Sequence, residues 1–425
     1  MKQILLCIPL IICILLLSCS SDKSPTGNSF EKIPIADCGP DRTVVAGELV
    51  LADASASKPV TGEITNYIWE RDENNPIIVQ YRNDDNPAHF YFGFQEPGTY
   101  RFYLTVADET ERSERDTLNV TVLPRTNVMF EDTRFEIDVR FNTKFCNGDF
   151  TDDVLATVDS LSAFSPITPY KISSLEGIEK CVNLRCLNLT NQELLTDLTP
   201  LASVNSLENL YIYNNPNLTD LSPLSNLKNL KYLTLYSCTS LTSVEPLAGV
   251  TSLVYLNLLN CQNIINYRYL SELVNLEELY ITHMHNYMKG DISFISKMIE
   301  LKKLTLTNSA ISNITPIVDL TNLEELDLSK NRLINSLQSL VNCKKIKYLS
   351  LYQNQILDLT PIEGLTLIKT ALLHANKFSS IKSLFDNHGV GDGDSLSITI
   401  GELDSLSLNV YLPELKSRGV IIQEY

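Results

Sequence analysis

The chain has 425 residues, which exceeds one ordinary domain and predicts two or more folded units. Lys and Arg number 34 against 51 Asp and Glu, and the resulting net charge of -17 argues against a nucleic-acid partner. The hydrophobic fraction of 44% is that of a globular protein rather than a disordered one. Ten cysteines are too few for a disulfide scaffold, and no Cys/His cluster has metal-ligand spacing, so neither metal nor cofactor is expected.

The N-terminus has the pattern of an export signal. Residues 3–17 form an uncharged apolar run behind Lys2, too short for a stable transmembrane helix. The run closes with Leu16-Leu17-Ser18-Cys19, which resembles the lipobox of bacterial lipoproteins. This resemblance implies that residues 1–18 are removed and that lipidated Cys19 anchors the protein, with Ser20 favouring an outer-membrane or cell-surface location. The alternative is an ordinary signal peptide and a secreted protein.

A small β-rich domain follows a polar tether that we assign to residues 19–33. Residues 34–124 contain short alternating runs separated by Gly, Pro, Asn and Asp, which predicts an antiparallel sandwich. Trp69, the only tryptophan, lies in one such run and is expected between the sheets. Several acidic groups in this domain, Asp84 with Asp85 and Glu70 with Asp72 and Glu73, are either calcium ligands or solvated surface, and we favour the surface.

The sandwich segment has an ordered set of motifs. In chain order they are Ala36-Asp37-Cys38-Gly39-Pro40-Asp41, Val44-Val45-Ala46-Gly47-Glu48, Asp53-Ala54-Ser55-Ala56-Ser57, Tyr67-Ile68-Trp69, Pro97-Gly98-Thr99-Tyr100 and Leu104-Thr105-Val106-Ala107-Asp108. This set resembles the polycystic-kidney-disease (PKD) domain family. The resemblance implies an extracellular spacer or contact module without catalytic residues.

The second half repeats the pattern L-x-x-L-x-L nine times. The repeats start at Leu184, Leu207, Leu230, Leu253, Leu276, Leu301, Leu323, Ile346 and Ile368. A period near 23 residues with this pattern is the leucine-rich-repeat signature, in which stacked units bury their leucines together. Segments such as DLTPL ending at Leu201 and NITPI ending at Ile317 place a proline where a short helical turn begins. This combination resembles the internalin type of bacterial repeat.

Two columns of the repeat have structural roles. A turn position holds Asn215, Asn331, Asn354 and Asn376, whose amides are expected to bind backbone groups of the turn, whereas Gln192, Cys238, Cys261, Met284 and Ser309 depart from it. Met284 and Ser309 predict a looser turn in mid-array. Cys181 and Cys343 stand in an apolar column and are expected to be buried thiols. A disulfide between Cys38 and Cys146, or from either to Cys186, is left open.

The ends of the array are expected to be caps. In residues 125–183, which we assign to a linker and N-terminal cap, FEIDVRFNTKF and FTDDVLATVDSL are apolar at helical spacing and predict a helical lid. The repeats occupy residues 184–384. Residues 385–425 form the C-terminal cap, with a helix over Ser405 to Arg418 that Gly419 ends, and Asp392 and Asp394 in a turn. The fold class is therefore a PKD-like or immunoglobulin-like β-sandwich followed by a leucine-rich-repeat solenoid with a parallel concave sheet and helical caps.

Eight tyrosines are predicted on the concave face of the repeats. Side chains alternate across a strand, so the residues beside the fourth and sixth positions of each repeat face the hollow of the arc. Of eleven tyrosines between Leu184 and Asn376, these positions hold Tyr211, Tyr213, Tyr232, Tyr236, Tyr255, Tyr280, Tyr348 and Tyr352. Tyrosine offers an apolar ring and a hydroxyl, so the clustering favours recognition of a ligand over mere β-propensity.

We expect no enzymatic activity. The chain has no His-Glu-x-x-His, Gly-x-Ser-x-Gly or phosphate-binding Gly-rich motif. His283, His285 and Tyr287 in the longer fifth repeat suggest an exposed loop rather than a metal site. The sequence predicts a surface lipoprotein that binds an extracellular protein or glycan. Two alternatives are a structural spacer or scaffold in an envelope complex and a carbohydrate-binding accessory to polymer-degrading enzymes.

Overall fold

The computed structural model describes residues 33–76, 78–81, 86–124, 129–164, 171–284 and 290–425, without the side chains of 79–81 and 164. The export signal, Cys19 and residues 20–32 lie outside these ranges, as do Asp84, Asp85, His285 and Tyr287. No helix within these ranges combines the length and apolar character needed to span a bilayer.

The N-terminal domain is a sandwich of two sheets, as predicted. Its strands are β1 (Arg42–Val45), β2 (Leu49–Asp53), β3 (Asn66–Arg71), β4 (Ile78–Tyr81), β5 (His89–Phe94), β6 (Gly98–Ala107) and β7 (Asp116–Leu123). One sheet has the order β1-β7-β6-β3 and the other β2-β5-β4. All pairs are antiparallel except β1 with β7, which run parallel, contrary to the antiparallel sandwich expected.

Aromatic side chains fill the space between the two sheets. The rings of Phe92 on β5 and Phe102 on β6 stack with their centroids 3.8 Å apart. Trp69 meets Phe92 edge to face at 5.8 Å, so the ring lies between the sheets as expected. It is only partly buried, because β3 is an edge strand and leaves one side of the ring uncovered.

Two acidic residues of the predicted groups, Glu70 and Asp72, have protein partners. Glu70 forms an ion pair with Arg115. Asp72 accepts a hydrogen bond of 2.8 Å from the hydroxyl of Tyr103 and one of 3.0 Å from the backbone N–H of Asn74. These contacts agree with a surface role for the two carboxylates.

Twelve parallel strands form a single sheet through the rest of the chain. The nine repeats supply β9 (Cys186–Thr190), β10 (Asn209–Tyr213), β11 (Tyr232–Tyr236), β12 (Tyr255–Leu258), β13 (Glu278–Thr282), β14 (Lys303–Thr307), β15 (Glu325–Asp327), β16 (Tyr348–Ser350) and β17 (Thr370–Leu372). The caps add β8 (Ser160–Phe164) at one end and β18 (Ser395–Ile398) with β19 (Ile421–Glu424) at the other. Twelve strands about 4.8 Å apart span about 53 Å. The repeats alone predict only nine of these strands.

The leucine columns make the core of the array. On β10, Leu210 and Ile212 are fully buried, while the residues on either side of them are partly exposed. Short 3-10 helices return the chain between strands, and five of them carry proline in the first turn as predicted: Thr199–Ser203, Ser222–Leu224, Glu245–Gly249, Thr315–Ile317 and Thr360–Ile362. The N–H that proline lacks would have no helical partner at that position.

The turn asparagines form a hydrogen-bonded ladder, which confirms their predicted role. The side-chain amide of Asn331 donates to the carbonyls of Leu306 and Leu328, both at 2.8 Å. Its carbonyl oxygen accepts from the backbone N–H groups of Ser309 at 3.0 Å and Ile311 at 3.3 Å. Since these partners belong to the preceding repeat and to its own, each amide locks two units in register.

The looser turn expected at Ser309 was wrong, whereas the turn after Met284 lies outside the described residues and its looseness stays a prediction. Ser309 accepts from the N–H of Met284 at 3.1 Å and donates to the carbonyl of Thr307 at 2.8 Å, so a hydroxyl maintains the ladder. Both residues are buried. Residues 285–289, which follow Met284, are not described.

The cysteines of the array are packed as apolar side chains. Cys181 and Cys343 are fully buried in their column, as predicted. Cys238 and Cys261 occupy the turn position of successive repeats, where the sulfur of Cys261 lies 2.7 Å from the carbonyl oxygen of Leu235. The seven cysteines that the structure describes, Cys38, Cys146 and Cys186 among them, are free thiols.

The caps differ from the predicted helical lids. Helix α1 (Thr133–Thr143) forms as expected, but the second predicted helix is only α2 (Asp152–Leu155). The chain then enters β8, where Leu161 and Ala163 are buried and alternate with serines, so a period of two replaces the helical period. This strand pairs with β9 and covers the open edge of the first repeat.

The C-terminal cap contains the predicted helix and an additional strand. After α3 (Lys382–Asp386), a π-helical turn (Ser407–Tyr411) continues into α4 (Leu412–Ser417). Gly419 has a φ of 82°, which suits glycine and ends the helix. The unpredicted β19 then pairs in parallel with β18.

Replacing Asn331 with alanine should lower the free energy of unfolding by about 3 kcal/mol, because buried backbone groups of two repeats lose their partners. Urea denaturation followed by circular dichroism measures the loss. Asn322→Ala is the matched control, since Asn322 donates one hydrogen bond of 3.0 Å to Ile299 near the surface and should cost less than about 1 kcal/mol. Equal losses in the two variants would contradict the role given to the ladder.

Candidate functional site

The predicted concave face is one side of the twelve-stranded sheet. Parallel pairing aligns equivalent residues of successive repeats, so Tyr213 lies beside Tyr236 and Tyr232 beside Tyr255. All eight predicted tyrosines are on this side, opposite the buried leucines. The structure therefore places them on one face, and it divides them into two groups.

The first aromatic cluster contains Tyr211, Tyr213, Tyr232, Tyr236, Tyr255 and Tyr280. The ring centroids of Tyr213 and Tyr236 are 6.0 Å apart, and those of Tyr232 and Tyr255 are 6.2 Å apart. Tyr255 and Tyr280 approach to 5.4 Å. Thr234, on the central strand of this cluster, is buried although it occupies a concave position. The rings thus form two neighbouring sets over four strands, one of Tyr211, Tyr213 and Tyr236 and one of Tyr232, Tyr255 and Tyr280.

A charged row separates the two groups of tyrosines. We define it as Glu278, Lys303, Glu325 and Asp327, on β13, β14 and β15. The ammonium of Lys303 lies 3.8 Å from a carboxylate oxygen of Glu278 and 3.3 Å from one of Glu325. Burial alone would lower the pKa of Lys303, but the two neighbouring carboxylates outweigh it and raise the pKa. Three carboxylates against one ammonium leave the row acidic.

The second aromatic cluster contains Tyr348, Tyr352, His374 and Tyr425. The rings of Tyr352 and His374 stack at 4.8 Å, and those of His374 and Tyr425 stack at 4.1 Å. Nδ1 of His374 is 2.8 Å from the hydroxyl of Ser397, and burial lowers the pKa of the imidazole. The ammonium of Lys330 lies 5.7 Å from the centre of the Tyr352 ring.

Two residues of the second cluster were missed by the sequence prediction. His374 occupies in the ninth repeat the column that Tyr352 occupies in the eighth, so extending the concave positions by one repeat would have found it. Tyr425 directly follows β19, a strand without the leucine pattern, and no sequence signal indicated its position.

Other predicted features do not join this site. The loop residue His283 is exposed, and its N–H donates to the carbonyl of Thr307. Asp394 is buried in a turn, where it accepts from the N–H of Gly391 at 2.9 Å and pairs with Lys369 at 3.0 Å. Among the described residues, no three His, Cys, Asp or Glu side chains are grouped so as to hold a metal ion.

Burial changes the acid–base chemistry of the concave tyrosines. It raises the pKa of Tyr211, Tyr213 and Tyr348. The pKa of Tyr280 is raised further, by burial first and then by the hydrogen bond of 2.6 Å that its hydroxyl donates to Glu278. These phenols therefore stay protonated, as hydrogen-bond donors, above the pH at which free tyrosine ionises.

The raised pKa of Tyr280 predicts a loss of stability at alkaline pH. A phenol with a higher pKa in the folded state contributes stability that is complete below about pH 10, the ordinary pKa of tyrosine, and that is lost as pH rises through the folded pKa. Glu278→Gln should lower the pKa of Tyr280, so a difference titration of tyrosinate absorbance should show ionisation at lower pH. The control is Glu324→Gln, whose carboxylate pairs with Lys347; an identical titration of both variants would refute the link.

The sequence matches two known families in separate segments. Residues 31–122 match the PKD domain family, and residues 205–249 and 321–366 match the leucine-rich-repeat family. A comparison with curated proteins gave no match.

Two solved structures are similar in fold to most of the chain. An internalin from Listeria monocytogenes, inlF, is 23% identical with a TM-score of 0.54, over 70% of this chain and 91% of that one. InlJ from the same species, whose functional domain includes a cysteine ladder, is 20% identical with a TM-score of 0.55, over 70% of this chain and 60% of that one. The chain therefore contains a PKD domain followed by a leucine-rich-repeat domain with the internalin-like fold.

Proposed function

We propose that this protein is a non-catalytic surface lipoprotein that binds an extracellular protein or glycan on the concave face of its repeats. The observation that carries the proposal is the concentration of aromatic side chains on that face. Tyrosine, with a rigid ring and a hydroxyl, is enriched where proteins bind partners. The internalin-like fold supports a binding or adhesion role.

The charged row favours a protein over a glycan as the ligand. Lys303 is partly buried between two carboxylates, and Glu325 and Asp327 lie beside it in the same row. A face with aromatic groups on both sides of an acidic centre matches a protein surface that presents a basic side chain between apolar ones. A neutral glycan would leave this centre without a charged partner.

The proposed surface attachment is supported by the N-terminal motif. The apolar run of residues 3–17 and the tetrapeptide ending at Cys19 support processing as a lipoprotein. With more than one acyl chain on Cys19, attachment to a membrane is stable. The polar residues 20–32 between the anchor and the first described residue would then separate the folded domains from the bilayer surface.

Changing Tyr211, Tyr232 and Tyr236 together to serine should weaken ligand binding by about 100-fold or more, because rings of this kind dominate binding energy at protein surfaces. The ligand is first identified by a pull-down with the purified protein and by a glycan array. Surface plasmon resonance then compares the affinities. Glycan hits alone would favour the accessory role, in which the protein assists polymer-degrading enzymes.

The matched control for this experiment is Tyr269→Ser. Tyr269 lies in a 3-10 helix on the opposite side of the repeats, where its ring contacts Arg268. Its loss should leave the affinity unchanged. If the triple variant binds as tightly as the unmodified protein, the concave face is not the binding site and a spacer role gains support.

Replacing Cys19 with serine should release the protein from the membrane, because the residue that carries the lipid is lost. Cell fractionation and immunoblotting measure the shift from the membrane to the soluble fraction. Cys7→Ser, inside the apolar run, is the control and should leave the protein membrane-bound. Mass spectrometry of the mature N-terminus provides a direct check, and an unmodified Cys19 would exclude the anchor.

A further inference from the structure

Helix α1 is buried on all sides along most of its length, up to its last turn. Seven consecutive residues, Arg134 to Arg140, are buried, although a helix at the end of a repeat array normally exposes one face to solvent. The two apolar faces of this helix belong to two different cores. Phe135 and Val139 join the core of the repeats, whereas Ile137 packs with Leu49 of the sandwich in a separate buried cluster.

The charged sides of the helix are neutralised within the helix itself. Arg134 pairs with Asp138, and Arg140 pairs with Glu136 at 2.7 Å, with all four side chains nearly inaccessible to solvent. The guanidinium of Arg140 also lies 4.4 Å from the centre of the Phe150 ring. Because each charge has its partner four residues away, the helix is buried without a net charge.

Two glycines of the sandwich allow helix α1 to approach it closely. A Cβ atom on Gly93 of β5 would lie only 2.5 Å from Cγ2 of Ile137, so glycine is required for the close approach. Gly47, at a φ of 98°, likewise faces the carboxylate of Glu136, which is 3.0 Å from where its Cβ would be. The ring of Tyr91 meets that of Phe141 edge to face at 5.7 Å.

Hydrogen bonds reinforce both sides of the contact. The N–H of Leu49 donates to the carbonyl of Cys146 at 2.8 Å, and the N–H of Gly148 donates to Glu48 at 2.6 Å. On the repeat side, Asp132 caps the start of α1 and also accepts two hydrogen bonds from Ser173, of 2.6 Å and 2.7 Å. The helix is therefore tied both to the sandwich and to the cap segment that leads into the first repeat.

We propose that α1 couples the sandwich and the repeat array into one cooperative folding unit. The sandwich then acts as a further layer of the N-terminal cap and fixes the direction in which the concave face is presented. A flexible spacer would need few contacts and a solvated connection. Here the connection has many contacts and is largely buried: helix α1 is buried along most of its length, two glycines allow its close approach, and hydrogen bonds hold it on both sides.

The single tryptophan makes the coupling measurable in the whole protein. Trp69 lies in the sandwich, so its fluorescence reports unfolding of that domain, whereas far-UV circular dichroism is dominated by the longer repeat region. In urea, both signals should show the same midpoint. Val106→Ala creates a cavity in the sandwich core, away from α1, and should shift both midpoints equally. A shift of the fluorescence midpoint alone, or different midpoints in the unmodified protein, would overturn the proposal.

Two glycine substitutions test whether α1 is the connection. Gly93→Ala introduces the clash with Ile137 and should separate the two midpoints, with fluorescence changing at lower urea. Gly98→Ala is the matched control, because its added carbon would lie 3.7 Å from Tyr100, an ordinary contact, and the midpoints should stay together. Ile137→Asp, which puts a charge into the shared apolar cluster, should separate them more strongly. Coincident midpoints in both Gly93→Ala and Ile137→Asp would show that the coupling does not pass through α1.

Discussion

The structure of the repeat region depends on how each turn satisfies its buried backbone groups. Where the chain leaves a strand inside a stacked array, its backbone carbonyl and N–H groups point away from water. Each of these groups would destabilise the fold if it had no hydrogen-bond partner. The amides of Asn215, Asn331, Asn354 and Asn376 bind these groups in two units at a time. Gln192 makes equivalent bonds with a longer side chain, whose amide donates to the carbonyls of Ala163 and Thr190 and accepts from the N–H of Ile172. Register is thereby fixed in the repeats that carry an amide at this position. Cys238 and Cys261 supply thiols there, and Ser309 supplies a hydroxyl.

Fixed register determines what the concave face offers to a ligand. Along one column, Tyr232, Tyr255, Glu278, Lys303, Glu325 and Tyr348 are successive neighbours on six strands. A slip of one residue in β11, β12 or β16 would turn a tyrosine of this column toward the leucines. The positions of the aromatic and charged groups are thus set by the hydrogen bonds that side chains in the turns make to the backbone after each strand. They are not set by contacts among the tyrosines themselves.

The sequence predicted what is periodic in this protein and missed what occurs once. The leucine pattern occurs nine times, proline begins five of the turns and asparagine holds the turn position in four repeats, so their spacing reveals strands, turns and the exposed face. Strand β8 lacks the leucine motif and its serines resemble a loop, and β19 has only four residues. The alternating charges of α1 are typical of an exposed helix, and only tertiary contacts show that they pair internally and are buried. The division of the tyrosines into two clusters likewise needed the register, because Glu278 and Lys303 are 25 residues apart in sequence.

Because the hydrogen bonds of the ladder are local, they affect how the number of repeats can change in evolution. Each amide bonds only to its own repeat and the one before, so a complete repeat gained or lost in the array leaves the remaining hydrogen bonds intact. One unit added between β14 and β15 would move the second aromatic cluster away from the first by about 4.8 Å. The distance between the two clusters can therefore change only in steps of one repeat, and it can be matched to partners of different size while both clusters stay the same.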